Sequence, residues 1–234
     1  MVDLSIVILA YRSEEYLKEF AMQIIEELSN ESVQYELIIV ANYDSLGDKT
    51  PQIAEEIANQ YSKVRCLAQE KQGKMGWDMR MGLDACNGKV LLVIDGDGQM
   101  PSSDIMNVYQ ALVYGNYDLV KTFRAVRMDG CWRRLMSKGY NRLFHMFYPM
   151  AKGIQDVNSK PKAFTQEAYN RMDLTSNDWF TDSEIMIQAL VHKMRICEIG
   201  TTFYKNERRA SFVKLSTALE FLLNLIHYRF IKKR

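Results

Sequence analysis

An α/β fold with a mostly parallel central sheet follows from three features of this 234-residue chain. Short apolar runs rich in β-branched residues recur through its first half. Each is followed by a stretch of helical periodicity. Polar loops rich in Asp, Asn and Gly join run to helix, as they do where strands end at a ligand-binding edge.

Residues 4–10, LSIVILA, read as a buried strand. Ser13-Glu14-Glu15 opens a helix with Ser13 as its N-cap, and Leu17, Phe20, Ile24, Ile25 and Leu28 form its apolar face. Residues 36–40 form a second strand. The loop 42–48 then leads to a helix starting at Thr50-Pro51, where proline suits the first turn. Residues 64–67 are a weaker strand, and Gly73 to Gly76 lead into a helix through Leu83. Val90 to Ile94 is the strongest strand and ends at Asp95. Beyond Pro101 the expectation is a helix over 102–114, a strand over 117–122, a basic and aromatic segment over 124–148, a helix over 185–191 and a strand over 196–204. Residues 216–231 read as an amphipathic helix with a basic tail, set either in a membrane interface or against the core.

A hydrophobic content of 47% excludes global disorder. Cys66, Cys86, Cys131 and Cys197 are widely scattered and form no CxxC pair, so they suggest neither a zinc knuckle nor a disulfide framework, and a reducing compartment fits best. Met1-Val2-Asp3-Leu4 lacks a basic leader region, and no apolar run spans a bilayer. The expected location is the cytoplasm, with peripheral contact at the inner face of the membrane. With no repeat or linker, residues 1–234 are expected to form one domain. Its halves differ in charge: residues 1–118 carry 9 Lys and Arg against 19 Asp and Glu, and residues 119–234 carry 21 against 10. The basic half suits phosphates, a membrane surface or nucleic acid.

Asp95-Gly96-Asp97-Gly98-Gln99-Met100-Pro101 follows the strongest strand. If the chain stays extended, Asp95 and Asp97 point the same way and need a cation near them. Mg²⁺ or Mn²⁺ accepts one or two carboxylates, with a diphosphate and waters completing its shell. Gly96 and Gly98 would let a ligand approach the backbone. An EF-hand is excluded, because Met100 and Met106 occupy its sixth and twelfth positions.

Four stretches together resemble the inverting family 2 glycosyltransferases of GT-A fold, and within them the dolichyl- or polyprenyl-phosphate sugar transferases. Residues 7–14, VILAYRSE, resemble V-I-P-A-Y-N-E-E. Residues 40–50, VANYDSLGDKT, resemble V-D-D-G-S-x-D-G-T, with Ala41-Asn42 in place of the Asp pair. Residues 73–88 resemble the N-x-G-x-x-x-A-x-x-x-G stretch, and residues 95–101 resemble D-A-D-x-Q-x-P. The resemblance implies that Tyr11 and Glu14 line a nucleobase pocket, that Asn42 and Asp44 lie near the base or ribose, and that Asp95 faces the nucleotide sugar. It implies that Asp97, with Asp95, holds the metal, that Gln99 lies beside the transferred sugar, and that Ala10, Gly76, Arg80 and Arg124 belong to the donor site.

In the second half, Arg124, Arg127, Arg133, Arg134, Lys138 and Arg142 interleave with aromatic residues. Such a segment grips a phosphate and covers an apolar chain, binds nucleic acid by stacking, or forms an amphipathic helix. The resemblance favours the first, an acceptor site. Residues 155–164 and 179–185 resemble acceptor-side segments, making Asp182 and Glu184 candidate bases for a hydroxyl acceptor; their other reading is a pair at a helix start. Arg208, Arg209 and Lys214 resemble a segment that neutralises the leaving diphosphate or an acceptor phosphate. The expected partners are a UDP- or GDP-sugar and a lipid-phosphate or glycan acceptor, without nucleic acid. A nucleotidyltransferase is disfavoured because residues 10–14 hold no glycine. A non-catalytic basic module leaves the acidic pair without a purpose.

Overall fold

The computed structural model describes residues 2–45, 47–206 and 215–230. In chain order the elements are β1 (Leu4–Leu9), α1 (Glu14–Ser29), β2 (Tyr35–Val40), α2 (Thr50–Gln60), β3 (Val64–Leu67), α3 (Met75–Asp84), β4 (Val90–Asp95) and α4 (Asp104–Tyr114). There follow β5 (Leu119–Arg127), α5 (Cys131–Phe147), β6 (Lys162–Thr165), α6 (Gln166–Asn170), α7 (Thr181–Val191), β7 (Ile196–Phe203) and α8 (Leu215–Phe230). The strands form one sheet in the order β3-β2-β1-β4-β6-β5-β7, and strands from both halves of the chain contribute to it. Only β6 runs antiparallel to its neighbours among the described strands. This is the expected GT-A sheet with helices on both faces.

At β1, β2 and β4 the sheet is buried on both sides, so these strands read as largely hydrophobic runs. On β1, Leu4, Ile6 and Ile8 pack with α1, α2 and α4. Val7 and Leu9 face the opposite way, into a core shared with α3, α5 and α7. Each buried Ile or Leu contributes roughly 1.5–3 kcal/mol, so neither face tolerates a polar residue cheaply. Leu9 stands level with Val40 on β2 and with Asp95 on β4. That register brings the three following loops to one edge.

Two helix expectations change. Ser13 occupies the N-cap position of α1, but its hydroxyl makes no cap. Thr50 Oγ1, at the start of α2, instead accepts from both Ser13 N and Glu14 N at 3.0 Å. The basic segment divides into the end of β5 and the helix α5. Of the two placements for the last helix, the structure has α8 on the core. Leu225 is fully buried, Phe221 meets Tyr140 with ring centroids 5.0 Å apart, and Tyr228 meets Phe180 at 5.6 Å. No described helix is long and apolar enough to cross a membrane.

Candidate active site

β4 ends at Asp95, and the chain turns immediately after it. The acidic pair is therefore not extended as expected, and strand alternation does not align it. Gly98 has φ +61°, and a Cβ there would lie 1.5 Å from the Tyr16 hydroxyl. A Cβ on Gly96 would meet Ile8 and Leu9 of β1. Both glycines thus serve the turn and its packing rather than ligand approach, which corrects the sequence reading. Within the turn, Asp97 accepts from Gln99 N at 3.2 Å. Gln99 Nε2 donates to the Tyr204 carbonyl at 2.7 Å, and Tyr204 N returns a bond to the Gln99 carbonyl at 2.8 Å. Asp95, Asp97 and Gln99 all line one open cleft of about 1510 Å³.

Behind the turn lies a buried charge chain. Lys160 Nζ is 2.9 Å from Asp182 and 3.3 Å from Asp95 Oδ1. Lys162 Nζ is 2.7 Å from the other Asp182 oxygen. Burial works to raise the Asp182 carboxyl, yet the two lysines hold it below its ordinary value. Burial raises the Asp95 carboxyl; Lys160 opposes this, while Asp97 and Asp182 add to it. Asp95 and Asp97 both line the cleft and fit a metal on a diphosphate, because Mg²⁺ or Mn²⁺ accepts one or two protein carboxylates and takes its other oxygens from substrate and water. Of the two, Asp95 already has an ammonium beside it.

The cleft is also lined by Tyr11, Arg12, Asp44, Lys71 and Asp78. The Tyr11 hydroxyl donates to Asp44 at 2.5 Å, and Arg12 donates to its other oxygen at 2.8 Å. Asp78 is ion-paired with Lys71, whose ammonium lies 4.6 Å from the Tyr11 ring centroid. Asn42 does not line the cleft. Its amide donates to Asp78 at 2.7 Å and accepts from Gln69 N at 2.9 Å, leaving it buried behind Asp78.

Several other expected donor contacts are corrected too. Ala10 is fully buried at the end of β1, and Glu14 points to solvent from the first turn of α1. Gly76 packs α3 against the loop before α7, where a Cβ would lie 1.9 Å from Thr181 Oγ1. Arg80, one turn on, is likewise outside the cleft lining. Arg208, Arg209 and Lys214 lie outside the described residues.

Asp182 and Glu184 part company. They are two apart on α7, and residues at that spacing do not share a helix face. Asp182 lines the cleft, whereas Glu184 is fully buried elsewhere. The Glu184 carboxylate accepts from Thr175 N, Thr175 Oγ1 and Ser176 N at 2.9–3.1 Å, so it fastens the loop before α7 and lies outside the cleft lining.

The remaining walls come from the second half. Arg124 forks onto Asp156 at 2.6 and 2.7 Å, and Arg127 onto Asp129 at 3.0 and 2.6 Å. Arg133 also reaches Asp129, at 3.4 Å. All three guanidiniums lie over the Phe203 ring, 5.3–5.7 Å from its centroid. Burial works to raise the Asp156 carboxyl, but Arg124 prevails and holds it at about 2. Beside this cationic wall, Trp132, Leu135 and Leu143 of α5 and Phe221 and Leu225 of α8 form an apolar one. Lys71, Asp78, Lys160, Asp129 and Phe203 were not assigned roles from sequence. A lysine two residues before Lys162 in an acceptor-like segment was a usable signal; a phenylalanine at a strand end was none.

Comparison with known proteins agrees with this geometry. The chain resembles the Mycobacterium tuberculosis glucosyl-3-phosphoglycerate synthase, solved with Mn²⁺, UDP-glucose and phosphoglyceric acid, with a TM-score of 0.74 over 97% of this chain and 80% of that one, at 16% identity. It is 26% identical to the human dolichyl-phosphate beta-glucosyltransferase over 226 residues, 88% of this chain and 68% of the relative. It is 24% identical to the glycosyltransferase AglD of Haloferax volcanii over 84% of this chain. It is 30% identical to an undecaprenyl-phosphate 4-deoxy-4-formamido-L-arabinose transferase of Pseudomonas fluorescens over 58% of this chain. The chain spans 32% of AglD and 40% of the Pseudomonas enzyme. Residues 5–175, from the first strand through the acidic turn to the lysine pair, match the model of glycosyl transferase family 2, and with most of its length so matched the chain belongs to that family.

Proposed function

We propose that the protein transfers a sugar, with inversion, from a nucleoside diphosphate sugar to a lipid phosphate. The observation that carries this reading is a cleft lined by Asp95 and Asp97, by three arginines and by apolar side chains of α5 and α8. Residues 1–234 act in it as one domain, because one sheet and one cleft draw on both halves.

Asp97, with Asp95 beside it, holds a Mg²⁺ or Mn²⁺ on the donor diphosphate. The metal, when bound, neutralises charge on the departing nucleoside diphosphate. Tyr11 and Asp44 hold the nucleoside, and Gln99 lies by the sugar. The acceptor oxygen attacks the anomeric carbon from the face opposite the leaving group. Arg124, Arg127 and Arg133 hold the acceptor's phosphate and stabilise charge, a role that fixed cations perform without reorganising.

Asp182 supports an acceptor that is already anionic. Two lysines keep it ionised and occupy both its oxygens, which makes it a poor base. A phosphate needs none. Dolichyl and undecaprenyl phosphates appear in the names of two relatives. The apolar wall suits the prenyl chain. Trp132 and Leu135 are exposed on α5, which bears basic residues and no acidic one, and this supports peripheral contact with an anionic membrane.

The test is transfer from UDP-glucose or GDP-mannose to farnesyl phosphate with Mn²⁺. Metal-dependent formation of glycosyl farnesyl phosphate is expected. Transfer confined to glycan hydroxyls would overturn the acceptor assignment, and the absence of any nucleotide binding would overturn the donor assignment.

A further inference from the structure

Ala41-Asn42 stand at the end of β2 where the resembled motif has an Asp pair, and the carboxylate that meets Asn42 and lines the cleft is Asp78 of α3. Asn42 holds the β2 position, and neither end of its amide is available. The Gln69 N–H donates to Asn42 Oδ1 at 2.9 Å, which fixes the oxygen on that side and turns the NH₂ toward Asp78. The NH₂ then donates to Asp78 Oδ1 at 2.7 Å. An amide so fixed by a backbone donor cannot flip to greet a ligand.

Asp78 itself is nearly buried yet lines the cleft. One oxygen takes the Asn42 bond, and the other takes Lys71. A carboxylate has about four lone-pair sites, so two bonds leave capacity for a third. Lys71 also lines the cleft and stands over the Tyr11 ring. The aromatic end of the cleft thus presents an anionic acceptor and a cationic donor side by side, next to a ring on which a base can stack. Asp44, the other carboxylate at this end, already accepts from Tyr11 and Arg12 and is far more exposed.

We infer that Asp78 and Lys71 read the Watson–Crick edge of the donor base and select one with a ring N–H beside a carbonyl. The inference rests on the donor reading given above. Uracil fits: N3–H donates to Asp78, and O4 accepts from Lys71. Guanine fits through N1–H and O6. Cytosine does not. Its N3 lone pair would face the carboxylate, and its amino group would face the ammonium. Adenine fails in the same way. A polar site rejects a mismatched ligand strongly, because its own buried groups are then left unpaired.

The experiment is calorimetric titration of the intact chain, with Mn²⁺, against UDP, GDP, CDP and ADP, and against the ring-N-methylated form of whichever of UDP or GDP binds. UDP or GDP should bind roughly tenfold to a hundredfold tighter than CDP and ADP, and ring methylation should cost a similar factor. Asp78→Ala should bring the UDP-to-CDP or GDP-to-CDP ratio toward one. Equal affinity for CDP, tolerance of the methyl group, or an unchanged ratio in Asp78→Ala would each overturn the inference while leaving the donor reading in place. Binding of no nucleotide by the unaltered chain would overturn both. The methylated ligand needs no variant, so the result stands even if Asp78→Ala does not fold.

Discussion

Lys160 Nζ stands 2.9 Å from Asp182 and 3.3 Å from Asp95, joining a buried carboxylate to one at the cleft surface. The ammonium offsets the negative charge of Asp95. Removing it leaves Asp182 held by Lys162 alone, and breaking one partner of a buried pair is costly. Lys160→Met is expected to lose roughly 3 kcal/mol of stability, read from urea unfolding. A loss below about 0.5 kcal/mol, the range of ordinary surface substitutions, would show that the pair is not held as described.

Asp97→Ala is expected to abolish the Mn²⁺-dependent part of thermal stabilisation by the bound nucleotide, and to lower transfer by about a hundredfold. The comparison is a melting series with nucleotide, with and without Mn²⁺. Full retention of the metal-dependent shift would remove Asp97 from the metal site.

Glu184→Gln separates fastening from catalysis. Its carboxylate accepts from Thr175 and Ser176 in the loop before α7, and it also interacts with the Tyr228 hydroxyl of α8. The variant is expected to be less stable by roughly 1–3 kcal/mol, with the pH profile of its residual transfer unchanged. A lost acidic limb in that profile would restore Glu184 as a base.

The Arg124–Asp156 fork predicts acid sensitivity of a definite sign. The folded-state carboxyl is depressed to about 2, so its contribution is complete above the unfolded value of about 4 and lost as pH falls from there toward 2. At about 1.4 kcal/mol per pH unit, roughly 2 kcal/mol disappears across that window. Comparing unfolding of the native chain and Asp156→Asn at pH 5 and pH 2.5 should show the gap between them narrowing with acid.

Trp132→Ala combined with Leu135→Ser is expected to weaken co-sedimentation with vesicles containing anionic lipid several-fold, with nucleotide affinity unchanged. Equal sedimentation would place any membrane contact elsewhere.

Much of this was legible in the chain, for identifiable reasons. β1, β2 and β4 are buried on both faces, so each reads as a continuous apolar run, and Asp95 follows the strongest of them. β6 was not legible: it has four residues, and its first, Lys162, is fully buried only because Asp182 answers it from α7. Asp78 looks like the solvated side of a helix until Lys71 and Asn42 close around it. Glu184 reads as a partner of Asp182 because only Ser183 separates them in sequence, whereas helical rotation turns them to different faces. The stacking of three arginines on Phe203 joins residues more than 65 positions apart, beyond the reach of any local pattern.

The hydroxyl of Thr50 has a mechanical consequence. By accepting from Ser13 and Glu14 it pins the loop after β1 to the helix after β2, and Asp44 adds two further ties to Tyr11 and Arg12. Loops laced together in this way move as a unit or not at all, since opening one breaks the bonds of the other. One jaw of the cleft is therefore stiff through polar ties, whereas the wall built by α5 and α8 is joined by ring contacts at Tyr140–Phe221 and Phe147–Phe230.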